Sequence, residues 1–175
     1  RLQTAHFIFL TPFRFFMSSW LDVALLAVLI VLNGVFAMSE ISLVTSRRAR
    51  LQRLIDDKVA GAERARELNA DPNRALSTIQ VGITSIGILS GIVGESALAR
   101  PMEAFLVMVG LSPETAKAIG LFVVVVLITY FSIVMGELVP KRIGQISPER
   151  IACRLAPPIH CLSIIAAPFV KLLSV

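Results

Sequence analysis

Residues 123–142 run VVVVLITYFSIVMGELVPKR, an apolar, β-branched segment that stops abruptly at a carboxylate, a proline and two cations. Its uncharged part begins at Ala118 and lasts to Gly136, close to the ~20 residues an α-helix needs to cross a ~30 Å hydrocarbon layer. Pro140 brings no backbone donor and disfavours helical geometry at Val139, so the helix is expected to kink or end there. Glu137 then lies beside an interrupted helix with carbonyl oxygens to spare, which is how membrane proteins assemble a cation site. The plain alternative is an i,i+4 pair between Glu137 and Lys141 at the membrane surface.

Working outward, Val23 to Ser39 and Ala75 to Gly94 are further charge-free runs, the first lengthened by Trp20 and Leu21. Leu155 to Val170 is shorter and holds Pro157, Pro158 and Pro168, each removing a donor that lipid cannot replace. It is predicted to be a Pro-broken, re-entrant or interfacial helix rather than a fourth crossing. The fold class is therefore an all-α membrane protein: three transmembrane helices with juxtamembrane amphipathic helices and a broken C-terminal helix. The whole composition agrees, with 55% hydrophobic and 17% charged residues in 175, too apolar for an ordinary soluble domain.

Net charge is +5, but the cations flank the apolar runs, which speaks for anionic lipid headgroups and topology rather than nucleic acid. Lys and Arg number eight from Glu40 to Arg74, two from Glu95 to Lys117 and four from Glu137 to Arg154. The first and third connections are thus expected in the cytoplasm and the N-terminus outside, in a plasma membrane. Residues 1–19 differ in character and are set apart as an N-terminal extension without an assigned role. Cys153 and Cys161 have no metal-type spacing. His6 and His160 are isolated, and no hydrolase, zinc-protease or nucleotide-loop motif occurs, so no enzyme is expected.

From Arg47 to Asn69 cations alternate with Leu51, Leu54, Ile55, Val59 and Ala62, an amphipathic stripe with a basic face. Gly61 is predicted to break it into a helix-turn-helix that lies on the inner leaflet as a lipid-anchoring belt, with a regulatory lever as the alternative. Asp71-Pro72-Asn73 reads as a stop and restart, with Asn73 as N-cap of the second crossing.

Polar groups inside the crossings mark where function belongs, because each costs a few kcal/mol unless partnered. The first crossing carries Asn33, Ser39, Glu40 and Ser42. Ser39, Ser42 and Ser46 share one helical face, and Asn33, Ala37 and Glu40 an adjoining one. The serines have an alternative in bonding their own helix carbonyls. Glu40 either completes a cation site or pairs with Arg47 or Arg48, the pairing being favoured. The second crossing supplies Thr84 and Ser85 as cavity hydroxyls, and Gly87 and Gly91 as a small-xxx-small pair for close helix packing. A hard divalent cation takes about six or more oxygen ligands. Glu137, the Asn33 amide, the hydroxyls and the backbone near Gly136 could offer them.

Three blocks, LNGVFAMSEISLVTSRRARL (32–51), STIQVGITSIGILSG (77–91) and GELVPK (136–141), resemble the transmembrane domain of the CorC/CNNM (cyclin M) magnesium transporter family. The likeness covers roughly Leu21 to Val175. It implies a homodimer in the bilayer, three membrane helices per subunit, a belt of juxtamembrane helices and an inward-open cation cavity. By that resemblance the expected function is Mg²⁺ transport, as efflux with Na⁺ as an optional coupling ion. A membrane-anchored divalent-cation sensor without flux is the alternative. The implied ligand set is Glu137, Asn33, Ser39, Ser42, Gly136, Ser85 and Thr84. Ile83 and Ala37 depart from family positions that often carry Asn and Ser, with Thr84, Ser85 or Ser42 as substitutes. The family's cytosolic CBS-pair and CorC-type domains, partners of the membrane part, lie outside these residues, so the chain is expected to be the membrane portion of a longer protein.

Overall fold

A computed structural model describes the backbone of residues 3–173 and the side chains of residues 20–162, Arg74 excepted, with Ile164. Every regular element in it is helical. The order is α1 (Gln3–Thr45), α2 (Arg48–Asp56), α3 (Ala62–Ala70), α4 (Pro72–Gly94), a π-helical turn (Glu95–Ala99), α5 (Arg100–Met108), α6 (Pro113–Ile133), a second π-helical turn (Val134–Leu138), α7 (Val139–Ile146) and α8 (Pro148–Leu173). Among the described residues three helices are long and apolar enough to cross a membrane: Trp20–Thr45, Ala75–Met108 and Pro113–Ile146. This is the membrane protein expected from the charge-free runs. The side chains of residues 1–19, the expected N-terminal extension, lie outside the described set, while its backbone from Gln3 is part of α1.

The chain forms two compact units, Arg1–Ile30 with Ile88–Phe131 and Val31–Gly87 with Ser132–Val175. In the first, Leu26, Val124 and Ile128 are buried together with Ile30, Val93, Leu98 and Met102 around them. Gly94 makes this possible, because a Cβ there would overlap the Ile128 side chain. Glycine at this point replaces a side chain by close helix approach, the usual packing device where lipid is the surrounding solvent.

In the second unit the hairpin of α2 and α3 packs on α8. Leu51, Ala62, Ala65 and Leu68 are buried with Ala152, Cys153, Ala156 and Ile159. Full burial contributes about 2 kcal/mol for a side chain such as Leu51 or Leu68. The break at Gly61 is as predicted: φ is +80° and the residue precedes α3, a conformation that glycine reaches without Cβ strain. Within the apolar stripe, Leu51 and Ala62 are covered by protein, Leu54 and Ile55 are half-buried against the same cluster, and Val59 stays exposed. Leu51, Ala62, Ala65 and Leu68 have nothing left to give to lipid.

Two expectations are corrected. Helix α4 starts at Pro72, not after an Asn73 cap, because proline suits the first helical position where no donor is needed. Helix α8 is unbroken through Pro157 and Pro158. Pro157 cannot donate to the Cys153 carbonyl, and that oxygen abuts the Gly61 backbone, in the space a Cβ would fill. A neighbouring chain segment thus covers the acceptor that the proline strands. Burial, and secondarily the Glu149 carboxylate, push the Cys153 thiol above its ordinary range, so it packs as a small apolar side chain.

Candidate cation site

Pro140 shapes the site through the bond it cannot make. In a regular α-helix its ring would collide with the Gly136 carbonyl and leave that oxygen without a donor. The helix neither ends nor stops at Val139. It widens into the π turn Val134–Leu138, with the Val139 N–H donating to Val134 O, then continues as α7 to Ile146. Such π turns recur at functional positions in helices. The stranded Gly136 carbonyl receives the side-chain amide of Asn33, Nδ2 to O, at 3.1 Å.

Glycines let the helices come close enough for that bond. A Cβ on Gly34 would stand 2.8 Å from the Pro140 ring and 3.2 Å from the Met135 carbonyl. One on Gly144 would stand 2.5 Å from Ile41 and 3.0 Å from the Met38 carbonyl. Helix α1 therefore lies directly against the π turn and α7, with Asn33 at one end of the contact and Glu40 at the other.

Glu40, Glu137 and Lys141 form one cluster. The Lys141 ammonium donates to Glu137 Oε1 at 2.6 Å and stands 3.4 Å from Glu40 Oε2. All three side chains are half-buried. Glu40 faces this cluster rather than Arg47 or Arg48, because the helix continues past Pro140 and carries Lys141 round beside α1. The Glu137–Lys141 pair exists, but a second carboxylate shares its cation.

Asn33 Oδ1 is buried without a hydrogen-bond partner. Such an acceptor costs about 1–3 kcal/mol unless water or a cation meets it. With the amide nitrogen committed to Gly136, only this oxygen remains for a ligand. Among the described residues no three His, Cys, Asp or Glu side chains converge. A cation held here would rest on one or two carboxylates and neutral oxygens.

The remaining candidates lie elsewhere. Ser39 and Ser42 are buried, with their hydroxyls on the Val35 and Ser39 carbonyls at 2.7 and 3.1 Å. They border a small gap lined by Leu43, Leu68, Ala152, Leu155, Ala156 and Ile159, the α3 and α8 side of α1. Thr84 and Ser85 are exposed on α4. Gly87 and Gly91 meet nothing within 4 Å, whereas Gly82 packs on the Phe36 ring, so within this chain the close approach of α1 to α4 uses Gly82. His160 accepts from Arg64 at 3.3 Å and ties α8 to α3. The structure thus gathers Asn33, Gly136 and Glu137 from the expected set and adds Glu40 and Lys141. Four-residue spacing of Gly136, Pro140 and Gly144 was the available sign of a face meeting another helix.

Comparison with known proteins gives these features a context. The Cyclin M transmembrane N-terminal domain, CNNM, matches residues 24–175. UPF0053 protein sll0260 of Synechocystis is 43% identical over 155 residues, covering 89% of this chain and 35% of that protein. UPF0053 protein YhdT of Bacillus subtilis is 33% identical over 150 residues, 86% of this chain and 32% of that protein. The Polyamine export protein of Escherichia coli K12 is 32% identical over 142 residues, 81% of this chain and 32% of that protein. The chain thus spans about a third of the length of these relatives. A match over nearly the whole chain, on a fold of three membrane-length helices, shows that the chain belongs to the CNNM family and carries its transmembrane domain.

Proposed function

We propose that this domain transports a divalent cation, Mg²⁺, through a site made by Glu137, Asn33 and the Gly136 backbone, with Glu40, about two helical turns further along α1, as a second carboxylate on the ion's path rather than a ligand of the same ion. The observation that carries the reading is the buried, unpartnered Asn33 Oδ1 on the helix that faces Glu137. Magnesium sheds water reluctantly, so a site of few charges and several neutral oxygens lets an ion both enter and leave. Efflux across a plasma membrane, from a cytoplasm that holds the basic connections, belongs to the same proposal, as does exchange for Na⁺.

Lys141 sets the loading step. Its ammonium rests on both carboxylates, so an arriving dication must displace an internal monocation. Lys141→Gln removes that competitor, and Mg²⁺ binding measured by calorimetry in detergent is expected to tighten roughly tenfold. The same ammonium favours a second reading. The Escherichia coli relative is named a polyamine exporter, and a primary ammonium is what each end of a polyamine would present to Glu137 and Glu40.

Reconstituted liposomes test both. Magnesium flux without polyamine flux supports the first reading, and the reverse result supports the second. Binding of Mg²⁺ with flux of neither favours a sensor.

The homodimer is likewise proposed, through the α4 face that carries Thr84, Gly87 and Gly91, all exposed. Small residues at four-residue spacing permit close helix contact. Gly91→Leu is expected to shift the protein from dimer to monomer in light scattering. An unchanged mass would remove this face from the interface.

A further inference from the structure

The α2–α3 hairpin carries an open groove of about 570 Å³ lined by Arg48, Ala49, Gln52, Arg66, Glu67 and Ala70. Two guanidinium groups from different helices face one space floored by alanines. The nearby acids are already engaged. Glu67 holds Arg64 at 3.1 Å, and Asp56 accepts from Gln52 Nε2 at 3.1 Å. Gln52 in turn accepts from Arg66 at 3.3 Å through Oε1, which holds that guanidinium over the groove. Arg50 turns to Glu149, 3.8 Å away. With Arg48 and Arg66 set against the single carboxylate of Glu67, which Arg64 already holds, the cleft keeps a net positive charge that favours an anion.

Position identifies the anion. Arg48 follows the end of the first crossing, Thr45, by three residues, and Ala70 precedes the start of the second, Ala75, by five. The groove therefore sits at headgroup depth. Most of the hairpin's apolar face is buried on α8, with Val59 left exposed, so its attraction for the bilayer comes mainly from its cations. Arginine pairs with a phosphate through two parallel N–H···O bonds, a geometry that a point charge lacks.

We infer that the Arg48–Arg66 groove is a binding site for the phosphate of an anionic phospholipid headgroup. It is independent of the cation site, since none of its residues belongs to that cluster. Occupation would tie α2 to α3 at the membrane surface and offset the net positive charge of the cleft. The shared chemistry is a phosphate oxygen cluster, which a free phosphate ion also offers.

The test uses the 175-residue chain in detergent, titrated with phosphatidylglycerol or phosphatidylcholine and read by native mass spectrometry as the fraction carrying one lipid. Phosphatidylglycerol is expected to bind and phosphatidylcholine to bind far more weakly. Arg48→Gln with Arg66→Gln should lower phosphatidylglycerol affinity roughly 30-fold, whereas Arg53→Gln, an equal charge removed outside the groove, should change it less than about twofold. Gln52→Glu keeps both arginines but places a carboxylate between them, and should weaken binding as well, which covers the case of a poorly folded double variant. An equal loss with Arg53→Gln would overturn the site in favour of diffuse surface attraction. Displacement of the lipid by millimolar inorganic phosphate would assign the groove to the free ion and overturn the lipid assignment.

Discussion

Glu137→Gln is expected to lower Mg²⁺ flux into or out of proteoliposomes by roughly 100-fold or more while leaving the folded fraction unchanged. The substitution keeps the side chain's size and removes its charge. A dication about 4 Å from a carboxylate in a half-buried setting gains several kcal/mol, at an effective dielectric near 20. Losing even about 3 kcal/mol of that corresponds to the stated factor. Lys141 also loses the negative charge of its shortest partner, at 2.6 Å, and keeps Glu40 as its carboxylate. That shift draws the ammonium deeper onto the one remaining carboxylate and compounds the loss. Circular dichroism and gel-filtration volume serve as folding controls. Flux within about twofold of wild type would show that the proposed ion does not pass Glu137.

Gly61→Ala is expected to destabilise the domain by about 2–5 kcal/mol. Two costs add. A residue with a Cβ at φ +80° gives up about 1–2 kcal/mol to a left-handed backbone, and forcing a methyl group into packed surroundings costs roughly 1–3 kcal/mol. The obstruction is the Cys153 carbonyl, with the Pro157 Cδ 3.4 Å away, so neither neighbour is a flexible side-chain tip. Relief would require α3 and α8 to separate along Leu68, Ala152 and Ala156. Thermal unfolding in detergent measures the effect, and Ala60→Ser, on the exposed residue just before, serves as the control. Equal midpoints for Gly61→Ala and wild type would contradict the proposed packing of α3 on α8.

The three crossings were legible in the sequence because absence of charge over a membrane's thickness is a local property. The Gly61 break was legible for a similar reason, since it depends on one residue and its neighbours. What Pro140 does was only half legible. Its missing N–H guarantees a stranded carbonyl, but whether the helix stops or widens depends on what meets that carbonyl. Here the answer is the Asn33 amide, 103 residues away. Pro157 repeats the lesson, its stranded carbonyl being covered by Gly61 so that α8 continues.

The division of the first helix into faces was read correctly as geometry, yet the geometry does not say which face meets which neighbour. The contacts of Gly34 with Pro140 and of Ile41 with Gly144 choose the rotation. They bring Asn33 and Glu40 to the π turn and α7, and leave Ser39 and Ser42 on the α3 and α8 side. Sequence proximity favours Arg47 or Arg48 as the partner of Glu40 over a place in the cation site. Lys141 becomes the nearer cation only once the helix is known to pass the proline. Charges on one helix can be listed from the chain, but their partners are settled by the packing of two.

The most direct measurement is anomalous diffraction from crystals soaked in Mn²⁺, a scatterer that accepts the same oxygen donors as Mg²⁺. The expected result is a peak within bonding distance of Glu137 and Asn33 Oδ1, with the Lys141 ammonium moved off the carboxylates. A well-occupied peak confined to a cavity away from this turn, such as the one lined by Glu95, Arg100, Glu103 and Lys117, or none at saturating metal, would contradict a cation path through the Pro140 turn.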